Sequence, residues 1–375
     1  MIELPSSKSI THRALICAAL ASGKSVILNP LVCDDTMTTC DVLEKLGIQI
    51  EKSAQTWVVR GGNWIRELDS RFRGNDKSGI SRTVLNCNES GTTWRFITAL
   101  TSFLKIPCEI TGKESLLQRP IKPLLEALQC ADETIFLNGN VSSQFLSGVL
   151  LVAPLSDKPL TIKLTTPLVS KPYVELTLDV QKKFGIKIRT KKNFSDFYIT
   201  PQKYQPTKME IEKDWSSAAF FIAAGLLSKP LTLTNLNPKS LQADRAIETI
   251  AKEMGGELEW NGNDLNIFPS KLRAIEWDIK DSPDLFPIVS VLNACAEGKG
   301  KLTGIENLKF KESNRLKTMQ KLLKNPNVID STDHRIIMAG AVLGLAHKQT
   351  PKILHPSCVS KSFPNFWTAF DKIRA

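Results

Sequence analysis

Apolar and polar positions recur along the chain in one repeated arrangement. Leu4 to Gly23, LPSSKSITHRALICAALASG, begins with polar and basic residues and continues as an Ala-rich apolar run. That is the pattern of a helix buried on all sides with a polar start. The same pattern follows Glu89 (ESGTTWRFITALTSF), Ser142 (SSQFLSGVLLVAPL), Asp214 (DWSSAAFFIAAGLL), Ser282 (SPDLFPIVSVLNACA) and Asp333 (DHRIIMAGAVLGLA). Ser and Asp at these starts are good helix caps. A short break and a β-like run such as SVILNP, LTIKLTT or LTLTNL follows each helix. Starts at 7, 89, 142, 214, 282 and 333 imply one supersecondary unit used six times.

Each unit also carries a second, amphipathic helix. The spacing predicts these over 34–48, 119–129, 171–186, 242–256 and 311–323. Four of the five begin with a basic residue at or beside the first turn, against the helix dipole, which makes sense if a bound anion compensates. The units fall into two triplets, giving an α/β protein of two similar domains, 5–212 and 213–375 plus 1–4, each of three units. The middle unit of each triplet has little room for a closing β-hairpin, at Leu128–Asn138 and Lys324–Ser331. Asp69 to Gly79, polar and turn-rich, reads as a surface insertion. The site is expected in the cleft between the domains.

Charge sharpens this picture. The 375 residues carry a net charge of +11 and are 42% hydrophobic, which excludes a disordered chain and suits an anionic partner. The basic residues are scattered, and no nucleic-acid motif accompanies them, so a small anion fits better than a nucleic acid. The eight cysteines form no CxxC and no metal-like spacing with the four histidines; they read as buried apolar groups in a reducing cytosol, placing the protein in the cytoplasm. No apolar run has membrane-spanning length. Residues 1–21 mimic a signal peptide, but Glu3 and the five further copies of the pattern argue against it.

Several short constellations carry candidate chemistry. Lys8, Ser9 and Arg13 lie in or before the first turn of their helix, with Ser9 and Arg13 on one face, an arrangement suited to phosphate or carboxylate. Lys311 and Arg315 stand one turn apart with Glu312 between them, which is also the spacing of an ordinary surface ion pair. Asp284 opens one helix, Asp333-His334-Arg335 opens another, Ser142-Ser143-Gln144 a third, and Lys361 follows in CVSKSFPNFW. Singly, each reads equally well as a cap or a solvated charge.

In order along the chain, PSSKSITHRAL, ESGTTWRF, QRPIKPLLEAL, SSQFLSG, SKPYVELTL, DWSSAAFF, PDLFP, KFKESNRL, TDHRIIMA and KSFPNF resemble the enolpyruvyl transferases, and among them the EPSP synthase family. The resemblance implies two domains of three βαβαββ units each, an inside-out α/β barrel. It implies transfer of the enolpyruvyl group of phosphoenolpyruvate to the 5-hydroxyl of shikimate 3-phosphate by addition and elimination, on the route to chorismate and the aromatic amino acids. By motif, Lys8, Gly91, Arg95, Arg119, Arg315, Arg335 and Lys361 would hold phosphoenolpyruvate. Ser9, Arg13, Ser142, Ser143, Gln144, Ser170, Asn307 and Lys311 would hold shikimate 3-phosphate. Asp284 would accept the hydroxyl proton, Glu312 would exchange protons at the methylene carbon, and Lys8 would assist as donor. No metal or organic cofactor, membrane or nucleic acid is implied, and a monomer is expected.

The chain departs from the family pattern in places. It starts close to PSSKS, leaving a missing or very short leading strand; Glu89-Ser90 replaces Asn-Ala, Phe96 replaces Pro, and Ser313-Asn314 replaces Thr or Ser followed by Asp. Two rivals share the scaffold. A UDP-N-acetylglucosamine enolpyruvyl transferase would carry Lys-Asn near its start and a Cys before Arg-Pro, whereas Lys113 to Gln118 contains no Cys. A degenerate binding protein would need neither Asp284 nor Glu312.

Overall fold

The computed structural model describes residues 1–62, 83–129 and 133–374. The insertion expected at Asp69–Gly79 lies outside the described residues. The chain divides into two compact units, one of Lys8–Ile211 and one of Met1–Ser7 with Glu212–Ala375.

Six helices carry the cores: α1 (Lys8–Leu20), α2 (Gly91–Phe103), α3 (Ser143–Val152), α4 (Trp215–Leu227), α5 (Phe286–Cys295) and α6 (His334–Ala346). Their starts follow from local chemistry. Ser90 caps α2, Ser142 caps α3, Asp214 caps α4 and Asp333 caps α6, each side chain accepting a backbone N–H of the first turn. Before α5 the expected helix start is a 3₁₀ turn, Pro283–Leu285, carrying Asp284. The helices are apolar all round because they are buried all round: Ile10 to Leu20 of α1 are all buried, as are Ser217 to Leu226 of α4. Small residues let neighbours approach. A Cβ at Gly225 would lie 2.7 Å from Ile267 Cγ2, too close for any side chain. In the unit containing Glu212–Ala375, α4, α5 and α6 all pack on one another. Aromatic rings of Phe221, Phe363, Phe366 and Phe370 fill the space beside them.

One copy shows the repeated unit complete. Strand Thr134–Leu137, α3, strand Leu160–Leu164, helix Lys171–Lys183 and the strands Arg189–Thr190 and Asp196–Ile199 make a βαβαββ run. Thr134 pairs parallel with Thr161, and Leu160 antiparallel with Ile199. The copy built on α1 takes its leading strand from far along the chain: Lys208–Glu210 pairs parallel with Gly23–Leu28, which continues to the hairpin Gln49–Lys52 and Thr56–Gly61. The copy on α4 takes its leading position from Ile2, bridged in parallel to Leu233 by Ile2 N–H to Thr232 O at 2.8 Å, so the short leading strand is a single bridge.

The middle copies are trimmed. Among the described residues Thr83–Asn86 pairs only with Cys108–Thr111, and Glu276–Asp278 only with Lys301–Thr303. A further copy is short as well. The α6 copy is also two-stranded, Val328–Ile329 on Lys352–Ile353, because the chain then enters a 3₁₀ turn, Pro356–Lys361, and the helix Phe366–Arg374.

The chain passes between units after Ser7 and again after Ile211, and the ends of these passages are pinned by backbone and side-chain hydrogen bonds. Ser7 N–H donates to Glu212 O at 2.8 Å, and Asp214 N–H to Pro5 O at 2.9 Å. The buried Gln242 amide uses all four of its hydrogen-bonding positions there. Its Oε1 accepts from Ser7 Oγ at 2.9 Å and Trp215 N–H at 3.2 Å; its Nε2 donates to Glu212 Oε1 and Lys213 O, each at 2.8 Å. Cys17, Cys33, Cys40, Cys87, Cys108 and Cys295 are free thiols. Burial pushes Cys33 up to about 11 and Cys40 and Cys87 to about 12, so these thiols stay protonated and inert. Among the described residues, no helix is long and apolar enough to cross a membrane.

Candidate active site

The expected site residues form two groups, one in each unit. In the Lys8–Ile211 unit, Arg13 projects from α1 and is 2% exposed. Its Nε donates to Thr177 Oγ1 at 2.7 Å, Nη1 to Ser9 O at 2.9 Å and Nη2 to Tyr173 O at 3.1 Å, while its carbon Cζ lies 5.3 Å from the centre of the Phe96 ring. Burial lowers Arg13 to about 10, which still leaves a cation at neutral pH. Lys8, at the first position of α1, pairs with Asp35 Oδ2 at 2.9 Å. Asp35 belongs to the first turn of helix Asp34–Lys45, where a carboxylate also suits the helix dipole.

Two guanidiniums converge on the start of α2. An ideal Cβ at Gly91 would stand 3.0 Å from Arg95 Nη1 and 3.0 Å from Arg119 Nη1, so the absent side chain leaves room for both. Arg95 Nη1 donates to Gln144 Oε1 at 2.7 Å, and Gln144 Nε2 to Thr92 Oγ1 at 3.0 Å. This joins the first turns of α2 and α3. The helix expected over 119–129 begins only at Lys122, and a short helix, Glu114–Leu117, precedes it, so Arg119 sits in the turn between the two. Buried hydroxyls hold the base of this group: Thr39 Oγ1 meets His12 Nδ1 and Thr93 Oγ1, and Thr93 Oγ1 meets Ser90 Oγ, each at 2.7 Å. Ser143 is buried in the first turn of α3 behind the Ser142 cap. Ser170 precedes helix Lys171–Lys183 in a left-handed conformation, φ 53°, a strained state for a residue with a Cβ.

In the other unit one carboxylate collects three cations. Asp284 Oδ1 accepts from Lys311 Nζ at 3.2 Å and Arg315 Nη1 at 2.8 Å, and Oδ2 from Arg335 Nη2 at 2.9 Å. Arg315 is fully buried and also donates to Asp333 Oδ2 and Glu312 Oε2, at 2.9 and 2.8 Å. Burial alone would raise Asp284, but Arg335, Lys311 and Arg315 outweigh it and hold the carboxyl well below the usual range. Lys311 and Glu312 are not helical as expected. Asn314 caps the helix, which begins at Arg315, and leaves Lys311 extended after the 3₁₀ turn Glu306–Phe310 that carries Asn307. Lys311 and Arg315 still meet, through Asp284. Lys361 is buried at the end of the turn Pro356–Lys361, which packs on α6.

Three acids of the site are not among the residues assigned to it from the sequence. Asp35 and Asp333 stand where caps and helix dipoles already account for acids. Asp244, 1% exposed, accepts a hydrogen bond from Ser216 Oγ. Burial first, and then the like charge of Asp284, push its carboxyl up to about 6. The signal for it was an acid beside Arg245 just ahead of an amphipathic helix.

Comparison with known proteins places this arrangement. The family described as EPSP synthase (3-phosphoshikimate 1-carboxyvinyltransferase) matches residues 1–138 and 132–370. A 3-phosphoshikimate 1-carboxyvinyltransferase of Dehalococcoides mccartyi is 34% identical over 99% of this chain and 95% of its own length. One of Methanocorpusculum labreanum is 34% identical over 100% and 96%. Among solved structures, EPSP synthase from Acinetobacter baumannii superposes with TM-score 0.74 at 22% identity, over 99% of this chain and 96% of that one. The enolpyruvyl transferase NikO from Streptomyces tendae gives 0.70 at 16%, over 99% and 94%. These structures share the α/β fold.

Proposed function

The chain belongs to the EPSP synthase family, and we propose that the two residue groups described above divide that family's reaction between them. The reaction is transfer of the enolpyruvyl group of phosphoenolpyruvate to the 5-hydroxyl of shikimate 3-phosphate, with release of phosphate. The UDP-N-acetylglucosamine reading is not favoured, since the curated relatives carry the name 3-phosphoshikimate 1-carboxyvinyltransferase.

In this reading Arg95 and Arg119, spaced by Gly91, take the phosphoenolpyruvate anion together with Lys8, Arg315, Arg335 and Lys361. Ser9, Arg13, Ser142, Ser143, Gln144, Ser170, Asn307 and Lys311 take shikimate 3-phosphate. Asp284 receives the 5-hydroxyl proton and Glu312 exchanges protons at the methylene carbon, with Lys8 as a donor. The observation that carries the reading is the Asp284 cluster. A binding protein for anions gains nothing from a carboxylate in the middle of three cations, whereas a proton acceptor beside anionic substrates needs one. A cytoplasmic monomer completes the reading; the free cysteines support a reducing compartment, and light scattering on the purified protein tests the monomer. The reaction is tested by phosphate release with both substrates, each omitted in turn. Release without shikimate 3-phosphate, or none from folded protein, would refute it.

A further inference from the structure

The Asp284 cluster is balanced where Asp244, pushed up to about 6, holds its proton. Lys311, Arg315 and Arg335 supply three positive charges; Asp284, Glu312 and Asp333 supply three negative ones. Asp244 faces Asp284 from the turn Ala243–Arg245 and is largely neutral in weakly acidic solution. A carboxylate gripped by three cationic N–H donors is a poor base, because taking a proton forfeits contacts to all three. Yet the proposed reaction asks this carboxylate to take a proton, and asks the same cations to hold substrate anions. Both demands are met only in sequence.

We infer that Asp284 is freed as the base only when a substrate anion draws Lys311 and Arg335 off its carboxylate. The inference rests on the assignments made under the proposed function. Arg315 keeps its bond to Asp284 while it helps to hold the anion. It is fully buried and tied to Asp333 and Glu312 as well as Asp284, so it stays as a strut. Lys311 is the most exposed of the three cations, at 30% of its side chain, and lies on extended chain outside the helix, so it can swing at little cost. An arriving phosphate or carboxylate adds negative charge to a balanced cluster and removes two of its donors from Asp284. Both changes favour a proton on that carboxylate. The empty enzyme therefore keeps its base silent, and occupancy switches it on, which denies a proton acceptor to water or to a lone hydroxyl.

The experiment is infrared titration of the full chain labelled with ¹³C-aspartate, with Asp284→Asn identifying the band. Inorganic phosphate is the probe, since its own bands lie clear of the carboxylate region. Phosphate should raise the midpoint of the Asp284 band by at least one pH unit. In Lys311→Met the midpoint without phosphate should already be raised, and the further rise on adding phosphate should be smaller. An unchanged midpoint, with perturbed phosphate bands proving occupancy, overturns the inference; so does failure of phosphate to bind, since cations that no anion reaches cannot be a switch. Because nothing turns over here, a raised midpoint in a protein that releases no phosphate from its substrates would sink the proposed reaction and leave the switch standing.

Discussion

Gly91 offers the most direct test of the anion site. In Gly91→Ala the new methyl would stand 3.0 Å from both Arg95 Nη1 and Arg119 Nη1. Non-bonded heavy atoms settle at about 3.5 Å, so each guanidinium must retreat by about 0.5 Å. Arg95 Nη1 is held by Gln144 Oε1 at 2.7 Å. The same retreat taken along that bond would leave it near the limit of about 3.2 Å. A charge-assisted bond is worth about 1.5–3 kcal/mol, part of which is recovered as the side chains rotate. Both guanidiniums then meet the substrate anion from about 0.5 Å further off, and a loss of about 1–2 kcal/mol in those charge-assisted contacts is roughly 5–30-fold in binding. Stability should hold. Gly91 occupies the first position of α2 with an ordinary backbone conformation, so alanine gains up to about 1 kcal/mol there, which offsets the weakened Arg95–Gln144 bond. Phosphate release with phosphoenolpyruvate varied, beside a thermal melt, reads both quantities. KM for phosphoenolpyruvate should rise by that factor while Tm holds. A KM within twofold of the parent's would refute the placing of Arg95 and Arg119 around the substrate.

Four further outcomes are expected. Phe96→Leu removes the ring beneath Arg13, a buried cation–π contact worth about 1–2 kcal/mol, and should weaken shikimate 3-phosphate roughly 5–30-fold by calorimetry. Glu312→Gln keeps an acceptor for Arg315 but cannot titrate; turnover should fall about a hundredfold, with shikimate 3-phosphate affinity nearly unchanged. Asp244 holds its proton more tightly folded than unfolded, so the stability it gives is complete below the unfolded value near pH 4 and lost as pH rises to about 6. Asp244→Asn should therefore gain on the parent between pH 4 and 7, by an amount on the order of 2–3 kcal/mol in paired melts, and a constant difference would refute this. Gln242→Leu removes four hydrogen bonds where the chain passes between units and should cost about 3 kcal/mol, read as a lowered Tm.

What the sequence made legible was local. Ser142, Asp214 and Asp333 announced three helices because a cap before an apolar run has few other readings; the start expected at Glu89 is capped one residue later, by Ser90. Long-range pairing left no such mark. Nothing in the Lys208–Glu210 triplet says that its partner is Gly23–Leu28, and nothing in Ile2 says that it bridges Leu233. The two-stranded α6 copy was missed because the polar stretch after Ile353 reads equally as a turn before a hairpin or before a helix. In the site, basic residues stood out against the helix dipole, while their acidic partners were hidden by it. Asp35 and Asp333 are what any helix start would carry, so nothing marked them as counter-ions of Lys8 and Arg315. The position of Lys311 was misjudged for a related reason: spacing alone cannot show that Asn314 interrupts the helix.

The distant origin of one strand sets a timetable for synthesis. Thr207 N–H donates to Ser25 Oγ across 182 residues, and Val26 pairs with Lys208 beside it. At roughly 5–20 residues per second, a ribosome needs about 10–40 s to deliver that partner. Once Thr56–Gly61 has been made it can cover one side of Gly23–Leu28, but the other side waits for Lys208–Glu210. The copy on α3 needs no such wait, since all its strands lie between Thr134 and Ile199. The first sheet begun on the ribosome is thus closed after the third is already complete. The nascent chain must carry an open, hydrogen-bonding edge meanwhile, the kind of edge that holdase chaperones shield and neighbouring chains attack.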